Sequence, residues 1–140
     1  MAAFFLLGWP EPSSAEVHEY GPRYQRYVMD LPPAWAKTAV TGNDGSLMVQ
    51  SPDKKSVVCV RVCPREGRSA RALARQAAGS LSVSSMVRRD DNAWVLYVTS
   101  ENTRLSNIIQ TMGEGVLVIT VSGENEQTEA ILASLQPAKR

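Results

Sequence analysis

The sequence predicts an α+β domain dominated by antiparallel strands. From residue 24 onward, short apolar runs alternate with turn-forming residues at regular intervals, as is typical of strands joined by tight connections. The segment 69–80 instead repeats its apolar residues at a spacing of about 3.6, and a second segment of this kind closes the chain. The pattern therefore predicts a sheet with one crossing helix and one C-terminal helix.

Length and charge limit the number of domains and the classes of partner. A chain of 140 residues with 44% hydrophobic residues suits one domain, 16–140, because two domains of half this size would each bury too little surface. The formal net charge of +1 creates no broad field that would attract nucleic acid or an anionic membrane. No apolar run approaches the roughly 20 residues of a membrane-spanning helix. We therefore expect no nucleic-acid partner and no membrane span.

Residues 1–15 differ in composition from the rest of the chain. Positions 2–9 are almost wholly apolar, two prolines follow, and the small Ser13 and Ala15 precede Glu16. Small residues at these two positions suit a signal peptidase, so we interpret 1–15 as the remnant of a signal peptide that is cleaved after Ala15. The positively charged leader of such a signal is missing. The alternative is an N-terminal strand or docking segment of a cytoplasmic protein, in place of a periplasmic or secreted one.

The first predicted strands are separated by turns. Segment 24–31 ends at a Pro-Pro pair, which cannot donate hydrogen bonds to a sheet. Segments 35–41 and 46–50 flank Gly-Asn-Asp-Gly, a hairpin signal, and Pro52 then starts a second turn. In the β-branched run 55–63 that follows, valines occupy both faces, so we predict a central strand that is covered on both sides.

The segment 69–80 predicts an amphipathic helix that lies on the sheet. Ser69 is the candidate N-cap, and the apolar face consists mostly of alanine, which allows close approach to the strands.

Three arginines near this helix form the candidate partner or anion contact. Arg68, Arg71 and Arg75 are spaced i, i+3 and i+7, which places them within about 60° of one another on a helix and opposite the apolar face. Guanidinium groups suit the paired oxygens of an acidic partner, a phosphate or a lipid headgroup. A solvated outer helix face is the simpler interpretation of the same stripe, and we favour it.

The second half of the chain contains three clear strands and one ambiguous segment. Segments 84–89, 93–99 and 116–122 read as strands bounded by turn residues. In 102–112, the apolar residues match a helical stripe, whereas the β-branched residues and the Gly-Glu-Gly that follows suit a strand in a hairpin. Pattern alone leaves both structures open.

The C-terminal segment predicts a helix that packs back on the sheet. Asn125 is the candidate N-cap, Glu126 and Glu129 lie near the positive end of the helix dipole, and Pro137 is the expected stop.

Residues with catalytic potential are scarce. Cys59 and Cys63 lie on one predicted strand about 13 Å apart, beyond the roughly 7 Å reach of a disulfide. Their spacing and the single histidine, His18, match no redox or zinc motif, and we interpret the two cysteines as small buried hydrophobes. No nucleophile elbow, P-loop or dinucleotide-binding glycine pattern occurs. We therefore predict no enzyme, cofactor or metal site. An exposed cysteine of low pKa in a deep pocket would argue for catalysis.

Several stretches, taken in order, resemble the PsbP-like family, which includes the bacterial DcrB-type envelope proteins and a eukaryotic Ran-binding relative. These stretches are YVMDLPPAW, the MVQSPD and VVCVRV pair, the Ala-rich helix, WVLYV, and GVLVITVSG with TEAILASLQ. The resemblance covers residues 20–136 and rests on Leu31-Pro32, Trp35 and the Ile-Leu-Ala-Ser-Leu run at 131–135. All of these motifs are structural.

The resemblance implies a fold and a kind of role. It implies a mostly antiparallel sheet of about six to eight strands with helices on both faces, in which 102–112 is a strand paired with 116–122. It also implies a noncatalytic accessory domain that is exported and binds a protein or envelope component through its surface. The alternative is a cytosolic protein-binding or chaperone-like module, similar to a secretion accessory factor or to the Ran-binding relative.

Overall fold

The computed structural model describes residues 16–40, 46–80, 83–100, 103–123 and 125–138. Within these ranges the chain forms, in order, β1 (Glu16–Tyr20), β2 (Tyr27–Leu31), β3 (Ala36–Val40), β4 (Leu47–Gln50), β5 (Val57–Pro64), α1 (Ala70–Ser80), β6 (Val83–Asp90), β7 (Ala93–Ser100), β8 (Thr103–Met112), β9 (Gly115–Ser122), α2 (Thr128–Ala133) and β10 (Gln136–Pro137).

The strands form two antiparallel sheets. Seven strands make the larger sheet in the order β3-β4-β5-β9-β8-β7-β6, and three make the smaller sheet in the order β1-β2-β10. At the centre of the larger sheet, β5 and β9 pair along their whole length, from Val57 opposite Ser122 to Pro64 opposite Gly115. This architecture confirms the predicted α+β class with a mostly antiparallel sheet.

The main hydrophobic core lies between the larger sheet on one side and the smaller sheet with α2 on the other. Alternate side chains of β5 and β9 point into it and are almost inaccessible to solvent: Val58, Val60, Leu117 and Ile119. From the opposite side, Tyr27 and Met29 of β2 and Ile131 of α2 pack against them. The smaller sheet and α2 together therefore cover this face.

The corner after β2 fastens α2 to this core. Trp35 is buried, and its indole Nε1 donates a 2.8 Å hydrogen bond to Oε1 of Gln127, just before α2. At the end of α2, Oγ of Ser134 accepts a 2.9 Å hydrogen bond from the backbone N–H of Asp30. Both ends of the short helix are thus held by the β2–β3 segment.

The crossing helix α1 lies on the other face of the larger sheet. Oγ of Ser69 accepts a 3.1 Å hydrogen bond from the N–H of Ala72, which confirms the predicted N-cap. Leu73 and Ala74 pack into a second cluster with Leu96, Ile109 and Val116. The predicted amphipathic helix and its buried face are confirmed.

The ambiguous segment 102–112 contains a strand. β8 pairs with β9 from Leu105 opposite Ser122 to Met112 opposite Gly115, as the family resemblance implied. Ile108 and Ile109 are each 3% exposed although they point to opposite faces, because one enters the main core and the other enters the cluster under α1. A strand between two covered faces can bury consecutive apolar residues, and such a run also resembles part of a helical stripe.

The C-terminal helix is shorter than predicted, and Asn125 is not its N-cap. Oδ1 of Asn125 accepts the N–H of Gln127 at 2.9 Å, which forms a side-chain turn ahead of the helix, and Gln127 occupies the N-cap position. Pro137 does not stop the helix, which ends at Ala133. It lies in β10 opposite Tyr27, at the edge of the smaller sheet, where a residue without an N–H is tolerated.

We expect Ala74→Asp to lower the free energy of unfolding by about 3 kcal/mol or more, because it places an unpaired carboxylate in an apolar environment. Ala74 lies on the sheet-facing side of α1 and is 0% exposed. Ala72→Asp is the matched control, since it puts the same side chain on the exposed face of the same helix and should cost less than about 1 kcal/mol. Urea unfolding of both variants measures the difference. Equal losses would contradict the packing of α1.

Candidate binding groove

A groove runs beside α1 because the helix covers only part of its face of the sheet. α1 packs mainly on β6, β7 and β8, so β4, β5 and β9 lie to one side of it. The space between the helix and these strands has a volume of about 640 Å³.

The floor of the groove consists of side chains from three cross-strand rows, which the strand register defines. From the C-terminal end of β5 toward its start, the rows are Cys63 with Val116, Arg61 with Val118 and Ile109, and Cys59 with Thr120 and Asn107. The first two rows are apolar apart from Arg61. The third is polar, and its Thr120 Oγ1 and Asn107 Oδ1 are hydrogen bonded at 2.9 Å.

The groove has α1 on one side and β4 on the other. α1 contributes Leu73, Gln76, Ala77 and Ser80 to its lining. β4 contributes Met48, a large apolar residue that is 38% exposed, so the groove is open to solvent at this wall.

Two arginines are the charged residues of the groove lining, and no Asp or Glu is among the described residues that line it. Arg68 is engaged, since its guanidinium donates to Oε1 of Gln76 at 2.6 Å and forms a 3.1 Å ion pair with Glu66. Arg61 is exposed, and no described residue gives it a hydrogen bond or ion pair. The part of the groove lining that the structure describes thus carries net positive charge, and no described side chain engages the Arg61 guanidinium.

The three predicted arginines do not form one helical stripe. α1 begins at Ala70, after Glu66 and Gly67 have turned the chain with positive φ angles, so Arg68 precedes the helix and turns toward the groove. Arg71 and Arg75 are exposed on α1 and lie outside the groove lining. Helical spacing could not place Arg68, because that residue is not helical. Contact of these side chains with an acidic partner stays a prediction.

Sequence reasoning missed Arg61, the groove arginine whose side chain forms no hydrogen bond or ion pair with a described residue. The available signal was a cationic residue at the centre of a valine-rich run, which marks a strand face that solvent reaches. The same observation corrects the prediction that this strand is covered on both sides. β5 is central, but only the face with Val58, Val60 and Val62 is fully buried.

The two cysteines both point into the groove. Cys59 and Cys63 are unpaired and partly buried, and they lie on either side of Arg61 along β5. Burial raises the pKa of the Cys59 thiol, because the thiolate would lose solvation. A raised pKa is the opposite of what a nucleophilic cysteine requires.

Other candidate features of the sequence lie away from the groove. His18 is in β1, where it lies opposite Met29 of β2. Among the described ranges, no three His, Cys, Asp or Glu side chains come together as metal ligands. No helix in these ranges has the length and apolar character needed to span a membrane. The proposed signal remnant, 1–15, lies outside the described residues.

Comparison with known proteins identifies the fold. No protein family and no curated protein matches the sequence. A crystal structure from Bacteroides thetaiotaomicron matches with a TM-score of 0.52 and 18% identity, covering 81% of this chain. This chain spans only 46% of that protein. The solution structure of the cyanobacterial PsbP protein (CyanoP) of Synechocystis matches with a TM-score of 0.56 and 11% identity, covering 96% of this chain and 99% of that one.

The fold defines the protein as an α+β domain in which a large antiparallel sheet carries a groove beside its crossing helix. Within this class, the chain has a PsbP-like fold, which confirms the resemblance seen in the sequence. At these identities the likeness establishes the fold alone.

We expect the Cys59 thiol to react with iodoacetamide at a higher pH midpoint in the folded protein than in the unfolded one. Only the thiolate reacts, and the raised pKa keeps Cys59 protonated to higher pH. The measurement is the alkylation rate of a Cys63→Ala variant from neutral to alkaline pH, with the same variant in urea as the reference. An equal midpoint in the two states would contradict the raised pKa, and a lower midpoint in the folded state would show that the groove activates this thiol.

Proposed function

We propose that this protein is a noncatalytic, exported accessory domain that binds a protein or envelope component in the groove beside α1. The groove, with a volume of about 640 Å³, a largely apolar lining and two arginines, is the observation that carries the proposal. Ligand sites in proteins are typically concave and mainly apolar, with a few polar groups that orient the ligand. The groove has this composition.

The chemistry of the lining supports a binding role over a catalytic one. Its polar groups are guanidinium, amide, hydroxyl and thiol groups, and no carboxylate or imidazole of the described residues lines it. General acid–base and nucleophilic mechanisms require a group that can take or give a proton near neutral pH. The raised pKa of Cys59 argues against a thiolate in that role.

The residue types before Glu16 are the observation that supports export. Ser13 and Ala15 are small, as a signal-peptidase site requires, and the apolar positions 2–9 and two prolines precede them. Cleavage after Ala15 would give a chain that begins at Glu16.

To test the binding site, we would place the photocrosslinking residue p-benzoylphenylalanine at Met48 and irradiate cells that make the protein naturally. We expect a discrete adduct with a protein or an envelope lipid, identified by mass spectrometry, because Met48 lies at the open wall of the groove. The matched control is Val87, an apolar residue on edge strand β6 that is 48% exposed and does not line the groove. Equal labelling from both positions, or no adduct from Met48, would refute the site.

To test export, we would separate envelope from cytosol and determine the intact mass and N-terminal sequence of the protein. We expect a periplasmic chain that begins at Glu16. An uncleaved chain in the cytosol would contradict export and favour the cytosolic protein-binding or chaperone-like alternative.

A further inference from the structure

The strands under the groove have no backbone hydrogen bonds to offer a ligand. β4, β5, β9 and β8 are all interior strands of the seven-stranded sheet, so each forms a ladder with a neighbour on both sides. Over these four strands, an occupant of the groove is therefore held by side chains alone. This condition limits the chemistry of the occupant.

An extended peptide fits this floor poorly. Every residue of a peptide carries a backbone N–H and C=O, except that proline lacks the N–H. Over the apolar rows of Val116, Val118 and Ile109 these groups would lose water without finding partners. Peptides that bind along a sheet instead pair with an edge strand, and the edges here are β3 and β6.

A helical segment satisfies its own backbone, but the groove is small for one. A helix about 10 Å across occupies roughly 420 Å³ per turn, so the volume of about 640 Å³ corresponds to about one and a half turns. Helices this short gain little stability of their own. A flexible hydrocarbon chain has no polar groups to satisfy and adapts to the available space.

The charge in the groove indicates which polar head group a ligand with a hydrocarbon chain would carry. Arg61 projects from the apolar floor and is exposed, whereas Arg68 is already engaged with Glu66 and Gln76. A guanidinium presents paired donors that match the two oxygens of a carboxylate. No carboxylate of the described lining competes for Arg61.

We infer that the groove binds a single-chain amphipathic carboxylate, with its hydrocarbon chain on Val116, Val118 and Ile109 and its head group on the Arg61 guanidinium. This inference rests on the proposed binding function and names the class of envelope component that the groove takes. The volume falls within the roughly 300–1,000 Å³ of typical small-ligand pockets.

The native cysteines provide a direct assay. Cys59 and Cys63 are the two cysteines of the chain, and both line the groove, so a ligand there should shield both thiols. The probe is dodecanoate below its micellar concentration, added to the full chain before a thiol reagent. We expect slower labelling of both cysteines and a saturable affinity by calorimetry. Dodecanol, which has the same chain without charge, should bind about tenfold more weakly or worse.

Two arginine variants test the head-group contact. Arg61→Gln should weaken dodecanoate binding by about tenfold or more and leave dodecanol binding unchanged. Arg23→Gln is the control, because Arg23 is also exposed but lies between β1 and β2, outside the groove lining. Both variants should keep the melting temperature of the parent protein, since both side chains are exposed.

The outcomes separate this inference from the proposed function. If dodecanoate did not protect the thiols, or if the parent protein and Arg61→Gln bound it equally, the inference of an amphipathic carboxylate ligand would be wrong. If Met48 still gave a specific protein adduct, the groove would remain a binding site with a protein segment as its occupant. If dodecanoate did not bind and the crosslinker at Met48 gave no specific adduct, both proposals would be wrong.

Discussion

The structure depends on a mismatch between the width of its sheet and the width of its single crossing helix. Seven strands spaced by about 4.8 Å make a sheet about 29 Å wide, whereas a helix with its side chains spans about 10 Å. On one face, the smaller sheet and α2 together cover the larger sheet and close the main core. On the other face α1 is the element of the described ranges that packs on the sheet, and the strands beside it form the floor of the groove.

The central strand pair shows how the sequence accommodates two faces of different coverage. Toward the closed core, the middle of β5 and of β9 presents apolar residues, such as Val60 and Ile119, with almost no exposure. Toward the groove, the same strands mix apolar residues with Arg61, Thr120 and two thiols. A wholly apolar open face would favour aggregation, and a wholly polar one could not pack under α1. The composition that keeps the half-covered face soluble also gives the groove its amphipathic lining.

Most of the secondary structure followed from the sequence, because turn residues and periodicity are local signals. The Ser69 cap and the strands around it are examples. The ambiguity in 102–112 and the error in β5 both came from long-range packing. Consecutive Ile108 and Ile109 match a helical stripe until two separate cores are known to receive them. The valine-rich run of β5 does not show that α1 leaves the second face of this strand partly open. The sequence did not predict the groove for the same reason, since its lining comes from five separate elements and from the segments before β4 and α1.

The end of the groove beside Arg68 is held in place by several hydrogen bonds. The backbone N–H of Arg65 donates to Glu114 O at 3.0 Å, and its guanidinium donates to Arg68 O and Gly113 O, so the segment before α1 is tied to the β8–β9 turn. Gln25, which is buried, holds that turn in place, because its Oε1 accepts the N–H of Glu114 at 2.9 Å. The floor is equally constrained by ladders on both sides of every strand. A ligand would therefore meet a groove whose floor and one end are already ordered, which lowers the entropic cost of binding and leaves selectivity to the side chains that line it.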